Sequence, residues 1–507
     1  MQIEIMDTTL RDGEQTQGVS FTAEEKLAVA KTLLEKVRVD RIEIGSARAS
    51  DGEKESITRI CQWAKNAGFS GKVEVLGFAD INRSVDWLEG TGCKVINLLT
   101  KGSLKHCEKQ LGKSREEHFE DVRKTVAYAQ NRGIEVNAYL EDWSNGMEDS
   151  RQYIMELVSQ LREAGVRRIL LPDTLGSLSP PMVRRYIGDM VTEFPSVWFD
   201  FHAHNDYGLA TANALSAVKA GAQGLHVTVN CLGERSGNAA LDEVAVALYD
   251  FSEMRTNVIE DKLKEVSRLV EAFSGRKVPG SKPISGDDAF TQTAGIHADG
   301  DKKGGLYVSK LGPERFARKR VYALGKLSGK ASLDMNLQEQ HIDLTPEQKK
   351  LVLAKIIELG DRKKIVTKAD LPFIIAEVLR TQEGYITEFV DFSITSSRTE
   401  RPVADVTLKA GKTEYRIRSE GDGGYDAVMN GLRSVEDKLG IKIPTLMDYT
   451  VGIPPGGQTS ALVQTVITWK NDHEFKTIGV DSDQLVAALK ATERMLNLML
   501  IEKENKK

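Results

Sequence analysis

Cysteine is scarce in this chain of 507 residues: there are four, and none is spaced as CxxC. Cys61, Cys93, Cys107 and Cys231 therefore suit neither a disulfide framework nor a thiolate zinc site, and a reduced, cytoplasmic protein is expected. Long apolar runs are missing as well. Nothing approaches the ~18 residues of a membrane span. Residues 1–6 alternate like a strand, with no basic stretch ahead of an apolar one, so no secretory leader is expected. Positive charge is not in excess either. With 69 Lys and Arg against 74 Asp and Glu the formal net charge is −5, which excludes a broad basic field for nucleic acid or an anionic membrane. What is present is ordinary: 40% apolar and 28% charged residues, the balance of a soluble globular protein. The length exceeds what one hydrophobic core covers, so two or three domains are expected.

Over residues 1–255 short β-branched runs alternate with amphipathic stretches that end in glycine. Strands are predicted over 3–7, 41–44, 73–76, 94–99, 135–140, 168–172, 198–203 and 225–229. Thr22 and Glu25 form a capping box ahead of a helix running to about residue 36. Gly68, Gly133, Gly165 and Gly221 sit where a helix is followed by a left-handed residue. Eight β-α units in uninterrupted series predict an α/β fold, a closed (β/α)8 TIM barrel, with an open doubly wound sheet as the alternative. Residues 256–383 break the pattern, with a helix over 258–273, a Gly/Lys-rich segment of little periodicity over 275–330, and helices over 346–359 and 368–379. This stretch reads as linker subdomains. Residues 384–507 contain a repeat visible within the chain itself. Strands over 385–395, 403–408 and 414–418 precede a helix over 425–439, and strands over 450–453, 461–469 and 473–477 precede a helix over 483–500. A βββα unit used twice predicts an α+β module with a ligand-sized seam, suited to binding or dimerisation more than to catalysis. Ile453-Pro454-Pro455-Gly456-Gly457 is a rigid turn by composition.

Three segments carry the chemistry. Asp7-Thr8-Thr9-Leu10-Arg11-Asp12-Gly13-Glu14-Gln15 follows strand 1, Phe201-His202-Ala203-His204-Asn205-Asp206 closes strand 7, and Gly233-Glu234-Arg235-Ser236-Gly237-Asn238 follows strand 8. Strands 7, 8 and 1 are consecutive in a closed barrel, so the segments converge at the C-terminal rim, where barrel enzymes build their sites. His202 and His204, two apart on a strand, point to the same side. With Asp12 and Asn238 they offer two imidazoles, a carboxylate and an amide oxygen. That set suits Mn2+, Mg2+, Co2+ or Zn2+ with open positions and lacks the sulfur of a structural zinc site. The alternative is a structural hydrogen-bonding pair of histidines. Arg11 can pair with a substrate carboxylate or a developing alkoxide, or else form an internal salt bridge with Glu14, Glu43 or Asp173. Glu43, Glu141 and Thr174 fall on the same rim, where crowded carboxylates need a cation or an arginine to hold them. His297 lies in the glycine-rich linker, with Asp299 near enough to orient it and Tyr307 following, the setting of a general base. The plainer reading is a loop histidine satisfied by the chain. His106, His118, His226, His341 and His473 have no such setting and read as structural or exposed.

Leu10-Arg11-Asp12-Gly13-Glu14-Gln15 followed by Lys26, and the segment from His202 through Gly208 to Ala212, resemble the two signature patterns of the 2-isopropylmalate, citramalate and homocitrate synthases. The resemblance covers barrel, linker and duplicated C-terminal domain. It implies an acyltransferase that condenses a 2-oxo acid with acetyl-CoA. Asp12, His202, His204 and Asn238 would bind the metal, Arg11, Glu141 and Thr174 would face the oxo acid, and His297, with Asp299 and Tyr307, would serve acetyl-CoA enolisation. Segments 97–104, 139–146 and 300–304 look like the branch that makes citramalate from pyruvate, which implies isoleucine biosynthesis with feedback by isoleucine. A 2-isopropylmalate producer would use 2-oxoisovalerate and answer to leucine. Leu76, Leu99 and Tyr139, at the ends of strands 3, 4 and 5, would leave room for the methyl of pyruvate and crowd an isopropyl group, and such steric exclusion discriminates strongly. The alternative is that these three are core. The C-terminal repeat resembles the family's allosteric amino-acid-binding domain. Tyr425, Asp426, Leu446, Tyr449, Ile453, Val463 and Gln484 lie on or beside its seam as candidate effector contacts, in a chain expected to form a homodimer. Retro-aldol lyases and biotin-dependent carboxyltransferases use similar barrel metal sites, but the latter place a lysine on a late strand and no predicted strand end offers one. A non-catalytic amino-acid sensor is the remaining alternative, and the presence of Arg11, Asp12, His202, His204 and His297 argues against it.

Overall fold

A computed structural model describes residues 2–340, 342–361, 366, 368–379, 387–452, 463–472 and 474–505. They fall into two compact units, Met1–Phe290 with Ser309–Lys319, and Thr291–Val308 with Arg320–Lys507.

In the first unit β1 (Glu4–Asp7), β2 (Arg41–Ser46), β3 (Val73–Phe78), β4 (Val95–Lys101), β5 (Glu135–Glu141), β6 (Arg168–Asp173), β7 (Trp198–Ala203) and β8 (Gly224–Val227) close into a parallel barrel in sequence order. The register from Glu4↔Gly224 to Asp7↔Val227 joins the first strand to the last and excludes the open sheet. The local signals work as their chemistry dictates. Thr22 and Glu25 exchange side-chain and backbone bonds to open the helix Ala23–Lys31, and Gly68 closes Asp51–Ala67 at φ 79°.

Strand alternation sorts the side chains into two sets. Outward residues such as Ile5, Ile42, Ile44, Val73 and Val75 are buried against the helices, each contributing about 1.5–3 kcal/mol relative to exposure. Inward residues form successive layers. At the floor Arg41 bonds Glu74 at 2.8 Å and also Asp200, while Arg168 reaches Asp200 at 2.9 Å and Glu4 at 2.8 Å. Ions buried this deeply persist only because each is paired. Above them Met6, Leu76, Tyr139 and Leu170 form an apolar layer with Leu99 packed against it. β7 shows the progression on one face, from Asp200 at the floor through His202 to the rim, where His204 follows the strand.

Several boundaries differ from the sequence expectation, four of them instructively. β4 and β5 continue to Lys101 and Glu141, which pair in register; polar inward residues at a rim look like strand ends in sequence but belong to the strand. β8 stops at Val227, before Asn230 and Cys231, whose φ of 58° and 61° no strand accommodates. The helix expected from residue 258 begins as a 3-10 turn at Glu260–Lys262 and runs over Leu263–Ser274.

In the second unit a helix, Gly295–Lys302, stands where glycine content concealed it. Helices Lys330–Glu339, Pro346–Asp361 and Leu371–Leu379 share a core of Leu333, Leu337, Val352, Ile356 and Leu371. The repeat follows. Strands Thr387–Thr395, Val403–Ala410 and Thr413–Glu420 form one antiparallel sheet, and Thr445–Gly452, Val463–Lys470 and Glu474–Asp481 form the other. The duplication extends to an irregularity, since the first strand of each sheet shifts register at matching points, Phe389/Asp391 and Leu446/Asp448. The first sheet is followed by two helices, Gly424–Arg433 and Glu436–Leu439, where one was expected, and the second by Gln484–Asn505. Leu408, Ile417 and Leu432 from the first half pack in one core with Ile467, Trp469 and Leu496 from the second. The turn expected at 453–457 lies outside the described residues.

Candidate metal centre and active site

After β1 the amides of Arg11, Asp12 and Gly13 all donate to Thr8 O, at 3.1, 2.8 and 3.1 Å. This tight wrap brings Asp12 to the histidines of β7. Its Oδ2 lies 3.0 Å from His202 Nε2 and 3.9 Å from His204 Nε2, with the two Nε2 atoms 3.4 Å apart. All three side chains are buried. The segment after β8 closes beside them: Asn238 bridges to His204, and Ala239 N donates to Ala203 O at 3.0 Å. Gly233 must lack a side chain there, because a Cβ would come within 2.8 Å of the Asn238 amide.

Burial opposes ionisation of Asp12, but the Arg11 charge and the His202 hydrogen bond outweigh it and hold the carboxyl well below the usual range. Burial, reinforced by His202, pushes His204 down to about 4, so this ring is neutral near pH 7 and its lone pair is free to bind. Asp12 Oδ1 and both amide atoms of Asn238 are buried without a hydrogen-bond partner. Each such orphan costs about 1–3 kcal/mol unless a ligand takes it up. A structural histidine pair would account for the Nε2 contact but not for these orphans. A carboxylate, imidazoles and an amide oxygen, without sulfur, fit a divalent cation, and Asp12, His202 and His204 are a candidate metal cluster among the described residues.

Arg11, with 9% of its side chain exposed, makes the internal salt bridge to Glu43 weighed above and a further ion pair to Asp12. Its Nε donates to Glu43 at 2.5 Å, Nη2 to Tyr139 Oη at 3.2 Å, and Nη1 lies 3.2 Å from Asp12 Oδ2. Glu43 also accepts from Asn97 at 2.8 Å. Glu14 is engaged by Lys26 instead.

Three supporting groups were given no role of their own in the sequence reading. Lys26 is 1% exposed and holds Glu14 at 2.7 Å, Glu53 at 2.6 Å and Leu10 O at 3.2 Å, tying the Arg11-Asp12 turn to its helix. A lone lysine among the apolar positions of that helix was the available signal. Arg235 bonds Asp206 at 2.8 and 2.9 Å and Thr174 O at 2.8 Å, joining the loops after β6, β7 and β8. Lys101 is ion-paired to Glu141.

The remaining candidates stand as follows. Thr174 Oγ1 accepts from Asp142 N at 2.9 Å, supporting the left-handed Asp142 at φ 67°. Tyr139 and Leu76 are buried in the apolar layer, and the Tyr139 ring stands edge-on to His202 with centroids 6.0 Å apart. His297, Asp299 and Tyr307 belong to the second unit. His297 and Asp299 lie two apart on the helix Gly295–Lys302, a spacing that turns them to different faces. Asp299 binds Lys303 at 2.6 Å, and the group against His297 is Tyr307, with ring centroids 4.3 Å apart. Tyr307 therefore replaces Asp299 as the neighbour that holds this histidine.

In the repeat, Tyr425, Asp426, Leu446, Tyr449 and Gln484 line a cavity of about 710 Å3 with Met429 and Arg433. The Tyr425 and Tyr449 rings are 5.2 Å apart, and Tyr425 Oη is 2.6 Å from Thr492 Oγ1. Val463 does not line the cavity; it is buried in its strand. Ile453 lies outside the described residues.

A closed (β/α)8 barrel with a buried carboxylate and two imidazoles meeting at its C-terminal rim defines an enzyme with a candidate divalent-metal centre. Family models match in chain order: HMGL-like over residues 2–270, homocitrate synthase post-HMGL domain-like over 284–364, and LeuA allosteric (dimerisation) domain over 365–500. An (R)-citramalate synthase of Methanocaldococcus jannaschii is 34% identical over 505 residues, covering 99% of this chain and 100% of its own. A 2-isopropylmalate synthase of the same organism is 33% identical over 511 residues, covering 99% and 96%. A protein of Archaeoglobus fulgidus that bears a provisional form of the first name is 37% identical over 503 residues, covering 98% and 100%. The chain belongs to the HMGL-like family, in its group of citramalate and 2-isopropylmalate synthases, acyltransferases of the condensing type.

Proposed function

We propose that this enzyme is a citramalate synthase, condensing pyruvate with acetyl-CoA to give citramalate and CoA, in isoleucine biosynthesis and under feedback by isoleucine. The observation that carries this reading is the layer of large side chains, Leu76 and Tyr139 with Leu99 against them, whose Tyr139 ring stands beside His202. A methyl group is tolerated by such a wall and an isopropyl group crowds it. Similarity to proteins named for citramalate synthesis supports the same choice. Near-equal identity to a 2-isopropylmalate synthase keeps one second reading, with 2-oxoisovalerate as substrate and leucine as effector.

Asp12, His202, His204 and Asn238 would hold the divalent ion, Mn2+, Mg2+, Co2+ or Zn2+, which supplies Lewis-acid polarisation of the oxo-acid carbonyl. Arg11 has five N–H donors; its bonds to Glu43, Tyr139 and Asp12 leave one on each terminal nitrogen for the substrate carboxylate or the developing alkoxide. Glu141 and Thr174 complete the oxo-acid side of the rim. His297, steadied by Tyr307, removes a proton from the acetyl-CoA methyl. The resulting enolate carbon bonds to C2 of pyruvate, whose oxygen takes up a proton, and water then cleaves the thioester to release CoA. The chain divides by role into a catalytic barrel (1–255), linker subdomains (256–383) and a regulatory domain (384–507) that binds the effector and joins two copies into a homodimer. Four free cysteines are in keeping with work in a reducing cytoplasm.

CoA release from the metal-loaded enzyme with pyruvate and with 2-oxoisovalerate, repeated with isoleucine and leucine, tests the reading. Pyruvate should have the higher kcat/KM by at least about 10-fold, with isoleucine the stronger inhibitor. Preference for 2-oxoisovalerate together with leucine inhibition would replace it.

A further inference from the structure

We propose that His226 is a positioning residue: its Nδ1 accepts a hydrogen bond from the Tyr139 hydroxyl and thereby fixes that hydroxyl as an acceptor for Arg11, turned away from Glu43. Its effect on substrate choice rests on the oxo-acid chemistry proposed above, whereas the hydrogen-bond assignment does not.

His226 sits on the inward face of β8, buried, between the floor of the barrel and the rim. Its Nε2 is 3.2 Å from Asp200 Oδ2 and its Nδ1 is 3.0 Å from Tyr139 Oη. Asp200 is fully buried and accepts from both Arg41 and Arg168, so it is an ionised carboxylate. An ionised carboxylate only accepts, so the proton between it and the ring is carried by Nε2. Tyr139 then has one proton and two candidate acceptors, His226 Nδ1 at 3.0 Å and Glu43 Oε2 at 3.3 Å. Glu43 Oε2 is already occupied by Arg11 Nε at 2.5 Å. Nδ1 is nearer and has no other hydrogen-bond partner among the described residues. The hydroxyl donates to Nδ1, and the Tyr139 oxygen keeps its lone pairs for Arg11 Nη2 at 3.2 Å.

The consequence is a continuous chain from the arginines of the floor, through Asp200, His226 and Tyr139, to Arg11. It pins the hydroxyl end of a ring whose edge contacts His202 and which forms part of the proposed wall against bulky oxo acids. Without the Nδ1 acceptor the hydroxyl turns to Glu43, competes with Arg11 Nε for the same oxygen, and releases the ring from its anchor.

Three substitutions separate the two ends of the imidazole. His226→Asn keeps an acceptor at the δ position, His226→Gln keeps a donor at the ε position, and His226→Leu keeps neither. In the metal-loaded enzyme Leu and Gln should lower kcat/KM for the preferred oxo acid about 10-fold or more, narrow its preference over the other, and leave the KM for acetyl-CoA unchanged. Asn should stay within a few-fold of wild type. In a Tyr139→Phe background His226→Leu should add no further loss. Equal losses for Asn and Gln, or an unchanged oxo-acid ratio in Leu, would overturn the proposal. If Leu does not fold, the Asn and Gln pair still decides. Nitrogen-15 NMR of histidine-labelled protein reads the assignment without turnover: a protonated Nε2 and bare Nδ1 on His226 support it, and a proton on Nδ1 refutes it. Wild-type preference for 2-oxoisovalerate would sink the citramalate reading and the expected change in oxo-acid ratio, while leaving the Asn–Gln comparison and the NMR assignment intact.

Discussion

The barrel rim and the cavity of the C-terminal repeat are both lined by residues brought together from distant sequence, yet they are built on opposite principles. At the rim nearly every lining group is ionic or strongly polar and locked: Arg11 by Glu43 and Asp12, Glu141 by Lys101, Asp206 by Arg235. Several are fully buried, and the atoms left without a partner include those of Asp12, His202, His204 and Asn238. The cavity of the repeat is framed by Tyr425, Tyr449, Leu446 and Met429, with Asp426, Arg433 and Asp483 as its charged residues. Charges held rigid where water is excluded act strongly on a developing charge. Apolar walls with a few polar handles bind a small molecule and let it go. The contrast supports the proposed division between chemistry at the rim and reversible effector binding in the repeat.

The comparison breaks most visibly at the rim. His202→Ala should abolish measurable condensation and weaken Mn2+ binding by more than ~10²-fold, since even the partners of metal ligands cost 10–100-fold when removed. His297→Ala should cost ~10²–10⁴-fold in turnover with Mn2+ binding unchanged. Calorimetric titration of both variants distinguishes them; a His202→Ala protein that still binds one Mn2+ tightly would contradict the donor set. A smaller effect belongs to the repeat. Tyr449→Ala should leave uninhibited turnover within about two-fold and raise the half-inhibitory isoleucine concentration about 10-fold, the loss of ~1.4 kcal/mol of aromatic contact. Unchanged inhibition would move the effector away from this cavity.

How much of this was legible in the sequence follows from what sequence periodicity encodes. Eight alternating segments and the glycines that end helices specify a barrel, and a barrel makes strands 7, 8 and 1 neighbours. Asp12, His202, His204 and Asn238 could therefore be grouped from their positions alone. Partners chosen by burial or register could not. Lys26 belongs to the signature in sequence, but its partners Glu14, Glu53 and Leu10 O emerge only when the helix packs on the Leu10 turn. Lys101 and Glu141 read as residues past the strand ends, because polarity at an inward rim position looks like a terminus. His226 looked inert because its meaning depends on the register of β7, β8 and β5 together. The helix over Gly295–Lys302 was hidden by glycine, so Asp299 was paired with His297 by nearness in sequence, where the helical turn selects Tyr307 instead.

The smallest effect distinguishes the two regions by acid. His118 is buried in the barrel unit, its ring 2.7 Å from Tyr153 Oη through Nδ1, while Lys101 N donates to Nε2 at 3.4 Å. Burial pushes it down from 6.5 to about 4. Between those values the unfolded chain takes up a proton that the folded barrel refuses, so the stability it contributes is full above about pH 6.5 and is lost as the pH falls toward 4. One refused proton gives a slope of about 1.4 kcal/mol per pH unit. The repeat contains a single histidine, His473, so its unfolding should share less of this dependence. Scanning calorimetry from pH 7 to 4.5 should show the barrel transition falling faster than that of the repeat. In His118→Gln, where the amide oxygen can still accept from Lys101 N, that fall should be shallower by up to the slope of one proton. An equal acid slope in wild type and variant would mean that His118 is protonated in the folded barrel, and its Nε2, then carrying a proton, could no longer accept from Lys101 N.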